Sequence, residues 1–126
     1  MANKEVVSGP GVPPVLGPYS AGVRAGGLLF VSGQAGVDPA TGTAGEDFVA
    51  QARQSLRNVE AVVVAGGSRL DLVASTTVLI ADFGHFAELN EVFAEFFPVE
   101  PPARMTMQNT LPAGLLVSIG CVAVLA

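Results

Sequence analysis

Basic residues are scarce in this chain. Six Lys and Arg stand against eleven Asp and Glu, the net charge is −5, and no two of the six are adjacent. Phosphate backbones are held by clustered Lys and Arg, so nucleic acid is not an expected partner. Cysteine is nearly absent as well. Cys121 stands alone, which excludes an intrachain disulfide and fits a reducing compartment. With one histidine, His85, and one cysteine, no ligand pair occurs at helical or knuckle spacing, so no metal and no cofactor is expected. The longest apolar run, Leu115–Ala126, is interrupted by Ser118 and Gly120 and is too short to span a bilayer. Residues 1–8 lack an apolar signal core. The expectation is a soluble cytoplasmic protein with no membrane partner. Charge of either sign is thin: 13% of residues are charged, against ~25% in ordinary globular chains. Half of the residues are hydrophobic. Such a chain cannot readily cover a monomer's surface with polar groups, and an oligomer that buries the excess is expected.

What is present orders itself along the chain. The 126 residues suffice for a single domain, 1–126, with a real core. Residues 1–18, with Gly9–Pro10–Gly11 and Pro13–Pro14, read as an extended, irregular lead-in. A first strand is expected over Tyr19–Arg24, a hairpin turn at Gly26–Gly27, and a second strand over Leu28–Ser32. Ser32–Gly33–Gln34 ends that strand, and Gly33 allows a backbone or ligand to approach closely. A helix follows over Glu46–Ala65, with Glu46 and Asp47 in its first turn. Its apolar stripe is Phe48, Ala52, Leu56, Val59 and Val63, and Gln51, Arg53, Gln54, Arg57 and Asn58 fall mostly off it. Leu72–Ala81, dense in β-branched residues, is a third strand. Asp82 caps a second helix over Phe83–Phe97, whose buried face is Phe86, Leu89, Phe93, Phe96 and Phe97. After Pro98 and Pro101–Pro102, a strand runs from Ala103 to Gln108. Alternation there puts Arg104, Thr106 and Gln108 on one face and Met105 and Met107 on the other. The last strand, Leu115–Val124, reads as apolar on both faces. The order ββαβαββ implies an α+β fold: a single sheet with two helices on one face, the other face covered by a partner subunit.

Arg104 stands out. No other Lys or Arg lies between Arg69 and the C-terminus, a span holding six acids: Asp71, Asp82, Glu88, Glu91, Glu95 and Glu100. A guanidinium is a planar fork that grips a carboxylate or phosphate through paired hydrogen bonds. Two readings stand at this point: an anion clamp for a small acidic ligand, or an ion pair with a nearby glutamate. His85, near a helix start, reads as solvated, and Cys121 as an inert buried thiol.

Gly17–Pro18–Tyr19–Ser20, Val31–Ser32–Gly33–Gln34, Gln51–Val59, Phe86–Asn90 with Phe96–Phe97, and Pro102–Ala103–Arg104 occur in this order across nearly the whole chain. Together they resemble the RidA/YjgF family of reactive enamine/imine deaminases. The resemblance implies a chorismate-mutase-like fold and a homotrimer with a central barrel and inter-subunit clefts. It implies that Arg104 binds a substrate carboxylate, and that Tyr19, Ser32 with Gly33, and Asn90 line the same region. Met105 and Thr106 follow the arginine, and backbone groups at Thr106 contact ligand in such relatives. Blander roles remain for three of these: Tyr19 as a core residue, Asn90 as a helix bridge, Ser32 as a strand end.

One departure matters. Relatives that hydrolyse imines carry a glutamate on the last strand that activates the attacking water. Aligned on Leu111–Pro112, that place is Ser118, and a second acid common two residues later falls at Gly120. No Asp or Glu follows Glu100. The implied activity is hydrolysis of small enamine/imine carboxylic acids, of the 2-iminopropanoate and 2-iminobutanoate type, to 2-keto acids and ammonia. That activity is weakened by Ser118. The alternatives are a non-catalytic trimer that binds a small carboxylate such as a keto acid, and an enzyme acting on another carboxylate-bearing intermediate.

Overall fold

Gly26 and Gly27 carry φ of 59° and 79°. Both lie in the left-handed region that a two-residue hairpin turn demands and that glycine enters without steric cost. They join β2 (Gly22–Ala25) to β3 (Leu28–Ala35) in the computed structural model, which describes residues 3–126. The other elements are β1 (Glu5–Val7), α1 (Phe48–Ala65), β4 (Val73–Ile80), α2 (Phe86–Phe96), β5 (Ala103–Gln108) and β6 (Val117–Val124). The sheet order is β1-β2-β3-β6-β4-β5, antiparallel throughout except for the parallel β4–β5 pair. Strand β6, last in sequence, is thus central, and β5 forms an edge.

Alternation builds the core. Val117, Ile119, Cys121 and Ala123 of β6 are buried together with Leu29 and Val31 of β3 and Val78 and Ile80 of β4. Helix α1 covers this face across β3 and β6, and α2 packs beside α1. The stripe Phe48, Ala52, Leu56, Val59 and Val63 is fully inside, as its spacing demands. The opposite face of the sheet has no helix on it. It presents Ser118, Gly120 and Val122 of β6, Ser75, Thr77 and Leu79 of β4, and Phe30 of β3. Met105 and Met107 of β5 project on that side, 60% and 40% exposed.

Several expectations change in detail. The lead-in is not wholly irregular: Glu5–Val7 pairs with Gly22–Arg24 as an extra edge strand, making the order βββαβαββ. The first expected strand starts at Gly22 rather than Tyr19. Glu46 and Asp47 are not in the first turn of α1. Asp47 is the N-cap, its carboxylate accepting from the Ala50 N–H at 2.8 Å. Asp82 caps a short 3-10 turn, Phe83–His85, by accepting from the Gly84 N–H, and α2 begins only after it. Phe86 is 40% exposed, and Val92 takes its place in the buried stripe. His85 is not freely solvated: its ring stacks on Phe48 at 4.6 Å, and its Nδ1 lies 2.8 Å from the Glu88 carboxylate. The last strand is not apolar on both faces, since its open face carries Ser118 and Gly120.

Candidate functional site

Arg104 enters β5 immediately after Pro101–Pro102, which force an extended approach. It stands in register with Thr76 of β4, on the helix-facing side of the sheet. Helix α2 carries Phe86, Asn90 and Phe93, a spacing that lines all three along one face. The guanidinium reaches this stripe. Its Nη2 donates to the Asn90 side-chain oxygen at 2.7 Å, and its Cζ lies 4.8 Å from the Phe93 ring centre and 5.4 Å from that of Phe86. Both distances fall within the ~6 Å reach of a cation–π contact.

No glutamate holds Arg104. Among the described residues the ion pairs are Arg24–Glu5, Arg53–Glu95, Arg69–Asp71 and His85–Glu88. Burial lowers the Arg104 pKa from its usual value, yet a guanidinium stays charged at neutral pH. One N–H is spent on Asn90, and others remain available to an anion. Beside it opens a cavity of about 530 Å³ walled by Phe93, Phe97, Pro98, Pro101 and Pro102. The ion-pair reading is thereby set aside.

A second cluster forms elsewhere. Ser118 projects from the open face of β6, opposite Ala35 of β3 and Leu79 of β4. The β3–β6 register shifts between Val31 and Gln34, and this bulge brings Gly33 against Ser118. A Cβ at position 33 would stand 2.9 Å from the Ser118 hydroxyl, so a side chain there would collide with it. Tyr19 accepts the Leu16 N–H at 3.2 Å and is 48% exposed. Tyr19, Gly33 and Ser118 line a cavity of about 380 Å³ with Leu79, Leu111 and Leu115.

The expected site residues thus fall into two groups. Arg104 and Asn90 are together, and Tyr19, Gly33 and Ser118 are together. Within one chain the groups lie on opposite faces of the sheet, with β4 between β5 and β6. Ser32 joins neither, because its hydroxyl donates to the Ser20 carbonyl at 2.5 Å and braces the turn after Tyr19. Met105 projects on the open face, Thr106 is half-buried toward the helices, and neither lines these two cavities.

Two features escaped the reading of the sequence. One is the Phe86–Phe93 clasp on Arg104, which its i, i+7 spacing around Asn90 could have suggested. The other is a buried polar row on α1. Gln51, Ser55 and Asn58 are 2%, 0% and 5% exposed, although Gln51 and Asn58 fall outside the apolar stripe. Gln51 donates to the carbonyls of Gly45 and Gly114 and accepts from the Leu116 N–H. Ser55 donates to the Gln34 carbonyl, and Asn58 to those of Ala35 and Val37. The row anchors the loops around the Ser118 cavity. Its i, i+4, i+7 spacing was the available signal. Cys121 is buried as expected, and burial pushes its thiol up to about 12. Among the described residues no three His, Cys, Asp or Glu side chains gather as metal ligands, and no helix is long and apolar enough to cross a membrane.

A family model described as Endoribonuclease L-PSP matches residues 11–125. The chain is 40% identical over 116 residues to the 2-iminobutanoate/2-iminopropanoate deaminase of Salmonella typhimurium, covering 89% of this chain and 91% of that protein. It is 39% identical over 122 residues to a RutC family protein of Pyrococcus horikoshii, covering 95% of this chain and 97% of that one. The crystal structure of E. coli TdcF with bound serine superposes with a TM-score of 0.91 at 37% identity, over 97% of this chain and 99% of that one.

Proposed function

This chain belongs to the YjgF/RidA family, whose model is described as Endoribonuclease L-PSP, and we propose that it is a homotrimer hydrolysing small enamine/imine carboxylic acids to 2-keto acids and ammonia. The observation that carries the reading is Arg104: a cation oriented by Asn90 and two rings, without an acid partner, facing an open cavity. The relative from Salmonella typhimurium is named for 2-iminobutanoate and 2-iminopropanoate, both carboxylates, and TdcF was solved with serine, another carboxylate. Because Arg104 and Ser118 lie on opposite faces of one chain, the complete site takes Arg104 and Asn90 from one subunit and Tyr19, Gly33 and Ser118 from its neighbour.

In this site Arg104 fixes the carboxylate and so places the imine carbon beside a water near Ser118. The water oxygen bonds to that carbon and gives up one proton while the C=N electron pair moves to nitrogen, which takes a proton. The carbinolamine then collapses: its hydroxyl loses the second proton, nitrogen takes one, and the C–N bond breaks to release ammonia and leave the C=O of the 2-keto acid. Ser118 orients the water by a hydrogen bond but cannot deprotonate it near neutral pH. A positioned acid–base group typically contributes ~10²–10⁴-fold, and that factor is missing here. The wild-type rate is therefore modest. The test is 2-keto acid release from freshly generated 2-aminocrotonate. Acceleration by the wild type that Arg104→Ala abolishes is expected, and no acceleration at any protein concentration removes the proposal.

Ser118 also favours a second reading, in which the trimer binds a keto acid without chemistry. Carboxylate binding in calorimetry with no turnover selects it. Ribonuclease action is the least supported reading. Of the six basic residues, Arg24, Arg53 and Arg69 are already paired with acids, which leaves no basic patch for a phosphate backbone.

A further inference from the structure

Strand β5 lies at the edge of the sheet and pairs on one side only, with β4. Its two ends are held differently. At the far end the Asn109 N–H donates to the Ile80 carbonyl at 3.0 Å, and the Gln108 side-chain oxygen accepts from the Phe83 N–H at 2.8 Å. At the near end, just before Ala103 and Arg104, Pro101 and Pro102 have no N–H to give. There a side chain makes the bond instead: the Thr76 hydroxyl donates to the Ala103 carbonyl at 3.0 Å. That carbonyl belongs to the planar peptide unit joining Ala103 to Arg104, so its direction sets the backbone from which the Arg104 side chain leaves.

Thr76 is 1% exposed. It sits on β4, which is paired on both sides, opposite Cys121 of β6 in one ladder and Arg104 in the other. The core alone has no need of a hydroxyl there. Val78 and Ile80, next along the same face of β4, are apolar and fully buried, and valine has nearly the shape of threonine, suits a strand and buries no polar group. Resting on the carboxylate-clamp reading, we propose that Thr76 is a positioning residue for Arg104. Its hydroxyl fixes the Ala103–Arg104 peptide, so that the guanidinium, held at its other end by Asn90, meets a carboxylate in one orientation. The bond lies within a single chain and acts whichever groups a neighbouring subunit adds to the site.

Two substitutions separate positioning from stability. Thr76→Val removes the hydroxyl and keeps the volume, whereas Thr76→Ser keeps the hydroxyl and removes a methyl. Hydrogen exchange on the intact, ligand-free protein reads the backbone directly. Amides over residues 103–106 should exchange roughly threefold faster or more in Thr76→Val, the effect of losing one neutral hydrogen bond, and should stay within about twofold of the wild type in Thr76→Ser. Calorimetry with 2-oxobutanoate should follow the same order, with binding weakened roughly threefold or more by Thr76→Val and largely kept by Thr76→Ser. Urea midpoints should run the other way, lower for Thr76→Ser than for Thr76→Val, because a buried methyl is lost. A hydroxyl that served only the fold would make affinity follow stability. Wild-type affinity or wild-type exchange in Thr76→Val, or affinity that falls with the urea midpoint across the two variants, overturns the inference and leaves the clamp intact. If the wild type binds no 2-oxobutanoate, or if Arg104→Ala binds it equally well, the clamp reading falls and this inference with it.

Discussion

Arg104 is a cation kept without an acid in a chain with nearly twice as many acids as bases. Partial burial costs the guanidinium some solvation, and the carboxylate-clamp proposal rests on that unpaired charge. Truncating it to alanine also frees the Asn90 amide and uncovers two rings, so Arg104→Lys is the sharper probe. Lysine keeps the charge but loses the planar fork, and it should retain part of the wild-type keto acid affinity where alanine retains little. Ser118 is the other decisive residue. Ser118→Glu places a base in the cavity beside Gly33 and should raise turnover of 2-aminocrotonate by ~10²–10⁴-fold. An unchanged rate would mean that the missing acid is not what limits the reaction. Cys121 supplies a pH test. Its folded thiol is held near 12 against an ordinary 9.0, so its contribution to stability is intact below pH 9.0 and is lost as the pH rises toward 12. Urea midpoints measured across that range should fall less steeply for Cys121→Ala than for the wild type. Arg104 was legible from its isolation in the sequence. Of its partners, Asn90 was reached only through the family resemblance and the Phe86 and Phe93 rings not at all, because residues alone do not say which side of α2 faces β5.

At the scale of elements, α1 does two jobs with one helix. Its apolar stripe closes the core, and its polar row of Gln51, Ser55 and Asn58 ties down the loops that frame the Ser118 cavity. Gln51→Ala leaves the Gly45 and Gly114 carbonyls and the Leu116 N–H without their partner. It should cost about 2–3 kcal/mol in urea denaturation, whereas Asp47→Ala, which removes a cap near the surface, should cost ~1 kcal/mol. Equal effects would mean that the polar row is not structural. The helices and long strands were readable because periodicity and flanking glycines and prolines mark them. Strand β1 was not, because its three residues carry no pattern of their own and exist by pairing with β2. The polar row was misjudged for a related reason: helical spacing says which residues share a face, not that loop carbonyls wait opposite it.

For the molecule as a whole, the sheet's open face decides the matter. Phe30, Met105, Met107 and Val124 are each at least 40% exposed there, more apolar surface than a small monomer comfortably shows. The trimer proposed for this 12.8 kDa chain would cover that face and bring the two half-sites together. Sedimentation should report three chains per particle. Val122→Asp, which sets a charge on the same face, should release monomers and abolish turnover with Arg104 untouched. Monomers that retain full activity would contradict a composite site. The one-sided helices and the need for a covered sheet were both foreseeable from strand order and composition. The separation of Arg104 from Ser118 was not, because it depends on β6 inserting between β3 and β4, which local sequence does not encode.

The central claim is that the unpaired guanidinium captures an organic acid. Calorimetric titration of 2-oxobutanoate into wild type and Arg104→Ala, matched in fold by circular dichroism, tests it most directly. Saturable binding by the wild type that weakens at least tenfold in Arg104→Ala is the predicted result; equal affinities, or no binding by the wild type, would contradict it.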